Sequence, residues 1–203
     1  MKGYEVEAKF YLNDLAGLAA RLQAAGARLI QEQVHEINLR FDTPDNALTA
    51  GRRVLRLRKD VRAYLTYKDP ALLDQQVSVR REIEFEVGSF EAARSLLEAL
   101  GYEVSVMYEK YRTTYTLGGA QVVLDEMPYG DFTEIEAADP ELIRSLAAAL
   151  GLDWEARCAE SYLGLFYALK TRRAISARHL VFAEINKGDI TPEDLGLRAA
   201  DRV

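Results

Sequence analysis

Residues 76–87 read QVSVRREIEFEV, and from Arg80 onward a charge stands at every even position while Ile83, Phe85 and Val87 hold odd ones. Side chains of an extended strand alternate between two faces, so a period of two puts Arg80, Glu82, Glu84 and Glu86 on one side and the apolar residues on the other. Arg81 breaks the rule and is assigned to the apolar side or a strand end. The alternation recurs in neighbouring stretches. Residues 54–59 set Arg56 and Arg58 against Leu55 and Leu57, and residues 62–69 set Thr66 and Lys68 against Leu65 and Tyr67. Residues 4–11 set Glu5, Glu7 and Lys9 against Val6, Ala8 and Phe10. Lys110 and Arg112 are in phase within 103–117, Asp125 lies in 121–127, and Glu134 and Glu136 share a parity in 132–137. With the long stretch 27–42, these segments make eight predicted strands.

Three segments break into helical spacing: 14–25 with Asn13 as cap, 90–100 with Ser89 as cap, and 140–150 with Asp139 as cap and Pro140 at the first helical position. Gly26, Gly101 and Gly151 stop them. The first two helix-plus-glycine units each lead into a long strand, which hints at two similar halves. Other connections are short and carry Asp-Pro, Gly-Gly or Tyr-Gly-Asp, the chemistry of antiparallel hairpins. Residues 161–170 (SYLGLFYALK) read as an apolar helix, and 192–197 as a short terminal one opened by Thr191. The predicted division is a main domain over 1–170 and a helical extension on the surface over 171–203.

The chain has 203 residues, 49% hydrophobic and 29% charged, which is a globular composition and not that of a disordered or disulfide-stapled chain. A net charge of -6 argues against a general nucleic-acid binder. No apolar run approaches the roughly 18 residues of a membrane helix, and the charged start MKGYEVEAKF is unlike a signal peptide, so the expected place is the cytoplasm. Cys158 is alone and only His35 and His179 accompany it, which excludes a thiolate–imidazole zinc site and makes Cys158 a buried filler. His35 reads as solvent-facing, two of Tyr108, Tyr111 and Tyr115 as core, and Lys170, Arg172 and Arg173 as a solvated helix end.

A sheet face that merely meets solvent mixes in Ser, Thr and Gln, whereas here Arg and Glu recur at i, i+2 on strand after strand. The pattern predicts a sheet closing on itself, with the apolar face outward under helices and the charged face inward. Converging guanidinium and ammonium groups suit a polyanion with several phosphates, and clustered carboxylates suit a hard divalent cation.

Glu5-x-Glu7-x-Lys9 resembles the signature of the CYTH superfamily, the triphosphate tunnel metalloenzymes. The likeness continues in order through Arg56-x-Arg58, Lys68, Arg80-x-Glu82-x-Glu84, Lys110-x-Arg112, Asp125 and Glu134-x-Glu136, and covers residues 1–167 with FDTPDNAL, LDEMPYGDFTEIE and SYLGLF. It implies an α+β fold: an eight-stranded antiparallel closed β tunnel with a charged interior and helices packed outside. It implies metal binding (Mg2+ or Mn2+) by Glu5, Glu7, Asp125, Glu134 and Glu136. Phosphate binding would fall to Lys9, Arg56, Arg58, Lys68, Arg80, Lys110 and Arg112. Lys9, Glu82 and Glu84 would be catalytic, the two glutamates orienting basic side chains or a second metal. The implied activity is metal-dependent hydrolysis of a linear triphosphate, with class IV adenylyl cyclase as the alternative and a non-catalytic polyphosphate- or nucleotide-binding module as a third reading. The His-Phe pair that some cyclases carry ahead of ExExK has no counterpart in residues 1–4, which favours the hydrolase. The expected partner is a small-molecule triphosphate, with no nucleic acid or membrane and a possible homodimer.

Overall fold

The computed structural model describes residues 4–70, 72–73 and 78–201, with backbone alone at 4–5, 72–73 and 78–80. The chain runs through β1 (Tyr4–Leu12), α1 (Leu15–Ala24), β2 (Arg28–Asp42), α2 (Ala47–Ala50), β3 (Val54–Lys59) and β4 (Ala63–Lys68). It continues with β5 (Leu72–Leu73), β6 (Ser78–Val87), α3 (Phe90–Ala99), β7 (Glu103–Leu117), β8 (Ala120–Met127) and β9 (Gly130–Glu136). Last come α4 (Pro140–Ala149), β10 (Arg157–Cys158), α5 (Tyr162–Arg173) and α6 (Pro192–Leu195). No helix among the described residues is long and apolar enough to cross a membrane.

All eight predicted strands form, in one mixed-length antiparallel sheet of order β10-β1-β9-β8-β7-β2-β3-β4-β6-β5. The predicted closed eight-stranded barrel needs correction in count and in closure. Among the described residues the sheet has ten strands, because the two-residue β5 and β10 join it. Among the same residues its two flanks meet where Tyr4–Glu7 of β1 face Ser78–Arg81 of β6; at Lys9 and Phe10 the same edge of β1 is taken by β10, with Lys9 opposite Cys158. The sheet is therefore not sealed along its length.

The apolar parity faces outward and is covered in three places. Leu18 and Leu22 of α1 and Ile143 and Ala147 of α4 pack on Phe10, Val122, Leu124 and Ile135. Phe166 and Leu169 of α5 pack over Met127, Tyr129 and Phe132, and α3 places Leu97 against Leu39, Phe41 and Leu57. Each helix is amphipathic, so one face is buried on the sheet and the other meets water. Ser89 and Asp139 cap α3 and α4 as predicted. The cap of α1 is Asp14 instead of Asn13, because the Asn13 and Asp14 amides both donate to the Asp201 carboxylate, at 2.8 and 2.7 Å, and the Asp14 side chain accepts from Gly17. The short α2 was not legible: it is held by Asp42, whose carboxylate accepts from the Leu48 and Thr49 amides.

The tail differs from a helical surface extension. Between α5 and α6 it is mainly irregular, and Leu180 is fully buried. The reason is backbone pairing with β7: the Leu180 amide donates to Met107 and its carbonyl accepts from Glu109. Ala200 donates to the Tyr11 carbonyl, so the tail is fastened to β1 as well as to β7.

Cutting Leu180 to Ala is expected to cost about 2–5 kcal/mol in urea denaturation, as for other filled core sites. Leu100→Ala, at a residue 65% exposed, is expected to stay within about 0.5 kcal/mol of wild type.

Candidate functional site

The inward parity lines a cavity of about 1310 Å³. Glu7 and Lys9 enter it from β1, Arg56 and Arg58 from β3, Lys68 from β4, and Glu82 and Glu84 from β6. Lys110 and Arg112 enter from β7, and Glu134 and Glu136 from β9. The structure thus brings together every candidate residue whose side chain is described, except that Asp125 sits behind the wall. The Glu5 and Arg80 side chains lie outside the described residues.

Asp125 is completely buried and holds one side of the wall together. Its Oδ2 accepts from Lys110 Nζ at 3.0 Å and from the Tyr162 hydroxyl at 2.8 Å, and its Oδ1 accepts from Arg112 Nε at 2.6 Å. Arg112 Nη2 also reaches Glu134 at 2.7 Å, and Lys9 Nζ stands 3.3 Å from the other oxygen of Glu134. Burial opposes the Lys9 cation, but Glu134 and Glu7 outweigh it, so the ammonium is raised above its ordinary pKa. Burial likewise opposes the Glu134 carboxylate, and Lys9, Arg112 and Lys110 reverse that and hold it far below the usual range.

On the opposite wall Glu84 accepts from Thr66 at 2.7 Å and from Arg56 and Arg58 at 3.3 and 3.4 Å, while Lys68 pairs with Glu82 at 2.7 Å. The buried Nε groups of Arg56 and Arg58 have no hydrogen-bond acceptor among the described residues. The nearest recorded carboxylate to Arg58 Nε, that of Asp60, is 3.8 Å away. A buried donor without an acceptor costs about 1–3 kcal/mol, more when charged.

Several contributors were not among the predicted site residues. Glu36 is 1% exposed and lies 3.5 Å from Lys110 and 3.7 Å from Arg58. Burial raises its pKa, but Lys110, Arg112, Arg56 and Arg58 prevail and hold it at about 2. Arg40 lines the cavity too, and Asn38 donates to Glu36 at 2.9 Å. The signal was present as Glu36-x-Asn38-x-Arg40, the same parity rule applied to β2. Tyr108 is buried with its hydroxyl 3.5 Å from Arg56, while Tyr111 is exposed and stacks between His35 and Phe182. Tyr115 is core, and His35 is exposed and paired with Glu109. Glu86 pairs with Arg62 at the surface, Arg81 lies 3.8 Å from Asp69, and Arg173 binds Asp194. Cys158 is buried beside Lys9, and burial pushes its thiol up.

The carboxylates are the place to look for a metal. Glu7 and Glu136 are directly opposite in register on β1 and β9, and a narrow recess is lined by both together with Glu134, Gln121 and Arg112. Like charges directly opposite across strands are destabilising, and three hard oxygen donors beside a side-chain amide fit Mg2+ or Mn2+ in chemistry. Among the described residues no three such groups are gathered at metal-binding spacing. Asp125 does not fit as a ligand here, since it is completely buried and, unlike Glu134, lines neither the cavity nor the recess.

The cavity has two unlike ends. Strand neighbours alternate in direction, so the start of β1, the end of β9 and the β3–β4 turn share one end, lined by Glu136, Asp60, Val61 and Tyr64. At the other end lie the close of β2, the start of β3 and residues 157–163, among them Arg40, Arg53 and Arg157. There Lys9 donates to the Glu160 carbonyl at 3.1 Å and stands 4.2 Å from the Tyr162 ring centroid. Charge is therefore graded along the cavity, from carboxylate-rich to guanidinium-rich.

A sequence model of the CYTH domain matches residues 3–150. Adenylate cyclase CyaB of Aeromonas hydrophila is 27% identical over 163 residues, spanning 73% of this chain and 81% of that protein. Among solved structures, a putative adenylate cyclase from Vibrio parahaemolyticus superposes with a TM-score of 0.74 at 23% identity, over 83% of this chain and all of that one (100%). The putative adenylyl cyclase HpAC1 from Hippeastrum, described as having a dominant triphosphatase activity, superposes with a TM-score of 0.62 at 20% identity, over 80% and 95%. These two structural likenesses concern the fold.

The depressed Glu36 pKa sets a pH dependence. A carboxyl at about 2 when folded and at its ordinary 4.5 when unfolded stabilises the protein above pH 4.5, and that stabilisation is lost as pH falls towards 2. Over that window it amounts to something on the order of 3 kcal/mol. Urea denaturation from pH 7 to 2.5 is expected to show a steeper loss for wild type than for Glu36→Gln, whose curve is flatter and lower at pH 7.

Proposed function

The chain belongs to the CYTH family, and from that premise we propose that it is a divalent-metal-dependent phosphohydrolase acting on a linear triphosphate. The observation that carries the reading is the convergence of Lys9, Arg56, Arg58, Lys68, Lys110 and Arg112 from four strands on one cavity, with the carboxylates Glu7, Glu134 and Glu136 beside them. Six converging cations suit an anion with many oxygens once a divalent metal neutralises those carboxylates. In this reading the four-residue seam between β1 and β6 completes a tunnel around that anion.

The residues divide the work by position. Arg56 and Arg58 turn from Glu84, whose side chain is 31% exposed and can give way, to phosphate oxygens. Lys68 makes the same exchange against Glu82. Lys110 and Arg112 stay fixed by the buried Asp125, so their charges are already oriented when substrate arrives, and such preorganised charge is what stabilises a transferring phosphoryl group. Asp125 is a positioning residue in this scheme. Glu7, Glu134 and Glu136, with Glu5, would hold Mg2+ or Mn2+, which when bound neutralises phosphate charge and supplies a polarised water. Arg80 would extend the phosphate set, and Lys9, clamped by Glu134 and Glu160, places an ammonium at the basic end.

A second reading, adenylyl cyclase, is favoured by one observation: the 27% identical relative carries that name and is matched over 81% of its length. The soluble-enzyme reading requires neither nucleic acid nor membrane as partner, and the cytoplasm remains its proposed setting.

Phosphorus NMR of the protein with tripolyphosphate or ATP and Mg2+ or Mn2+ separates the readings. Orthophosphate release is expected; cyclic AMP with equal pyrophosphate would establish the cyclase, and no consumption of either compound would overturn both. Glu7→Gln and Glu136→Gln are expected to lose metal-dependent turnover by about 100-fold or more with unchanged circular dichroism, and Arg56→Ala to lose about 10²–10³ in kcat/KM. Full activity of either glutamine variant at limiting metal would remove that carboxylate from the site.

A further inference from the structure

Two cations of the cavity share one aromatic ring. Lys9 Nζ stands over the Tyr162 ring at 4.2 Å from its centroid and Lys110 Nζ at 5.3 Å, and Tyr162 itself lines the cavity. The lysines belong to β1 and β7, which are not neighbours in the sheet order. They also answer to different carboxylates, with Glu134 at 3.3 Å from Lys9 and Asp125 at 3.0 Å from Lys110. The ring is thus a partner common to cations that the sheet alone does not tie together.

That ring is held on several sides. Its hydroxyl donates to Asp125 Oδ2 at 2.8 Å, and Phe132 meets it nearly edge-on, with centroids 5.2 Å apart and planes at 79°. The Tyr162 carbonyl accepts from the Tyr129 hydroxyl at 2.8 Å, and Ser161 caps α5 immediately before it by accepting from Gly164. At 8% exposure the side chain is enclosed, so its orientation is set before any ligand is present. An aromatic face attracts an ammonium group through its quadrupole and brings no net charge. A carboxylate in the same place would attract both lysines, but it would also repel a phosphate approaching them. An aliphatic side chain would fill the space and attract neither.

We propose that Tyr162 is a positioning residue for the reaction, its ring setting Lys9 and Lys110 in fixed places from which they bind phosphate oxygens together. The inference rests on the triphosphate reading above and deepens it. Part of the working site is thereby assigned to α5, beyond residues 3–150 where the family model matches. The lysines touch the substrate, and Tyr162 acts through them.

Fluorination of the ring tests this, because it drains electron density from the aromatic face while nearly preserving shape. The series is Tyr162→Phe and its mono-, di- and trifluorinated phenylalanine analogues, with Tyr162→Leu beside it. Each is read as kcat/KM for tripolyphosphate and for ATP with Mg2+, together with the melting temperature. Successive fluorines are expected to lower kcat/KM stepwise, to about tenfold below Tyr162→Phe for the trifluorinated ring, at constant melting temperature. Tyr162→Leu is expected to lose about 30-fold, and Tyr162→Phe, which keeps the ring, to recover most of that loss. If Tyr162→Leu does not fold, the fluorinated series carries the test alone. A flat series, or a fall that merely follows a falling melting temperature, makes the ring a space-filler and overturns the proposal, while the triphosphate reading stands. If wild type consumes neither compound, the triphosphate reading falls and the positioning role with it.

Discussion

A single carboxylate, that of Asp125, sets the terms for the rest of the molecule. Buried without contact with water, it is tolerable only because Lys110, Arg112 and Tyr162 each donate to it. Those three donors come from β7 and α5, so satisfying one charge ties a strand of the sheet to the helix packed over Met127, Tyr129 and Phe132. Removing a single partner from such a group typically costs 3–5 kcal/mol, which makes the knot an all-or-nothing device. Lys110 and Arg112 cannot swing out to solvent without leaving the buried Asp125 side chain short of its donors. Their direction into the cavity is thus fixed before any ligand arrives.

The same logic governs the other wall, with a looser outcome. Glu84 bridges Arg56 and Arg58 but keeps 31% of its side chain exposed, and no acceptor among the described residues reaches their Nε groups. One wall is locked and the other is exchangeable. In the proposed reading, an anion entering between them would find rigid charges on one side and guanidinium groups able to trade a carboxylate for a phosphate on the other. Neither wall adds much to stability, because buried ion pairs roughly break even against apolar packing. The stability lies outside, where Phe10, Phe132, Phe166 and Leu57 are fully buried between sheet and helices.

That inversion is why so much of the molecule could be read from sequence. A strand with Arg56 and Arg58 against Leu55 and Leu57 declares which face is wet and which is packed, and most other strands of the sheet repeated it. What could not be read depended on contacts distant in sequence. Asp201 displaces the α1 cap from Asn13 to Asp14 from 187 residues away, and Leu180 adds its backbone to β7 where no periodicity announces a strand. Tyr162 looked like part of an apolar helix, and only the fold brings its hydroxyl to Asp125. Glu36 was missed for a different reason: β2 carries both parities of charge, with Glu32, His35 and Glu36 in close succession, so its pattern was blurred by bulges in its pairing with β7.

The graded cavity has a consequence for what can enter it. Residues 157–163 line the guanidinium-rich end, where Lys9 reaches the Glu160 carbonyl and Tyr162 is held by Asp125. At the end beside the β3–β4 turn Glu136 and Asp60 stand with Arg62, whose side chain is exposed, so acids and a base mix there. In the proposed reading an anion approaching from that side would feel repulsion from the carboxylates that Arg62 offsets only in part. A divalent cation held by Glu7, Glu134 and Glu136 would offset the rest, so the proposed reading expects the metal complex of the anion to bind better than the anion alone.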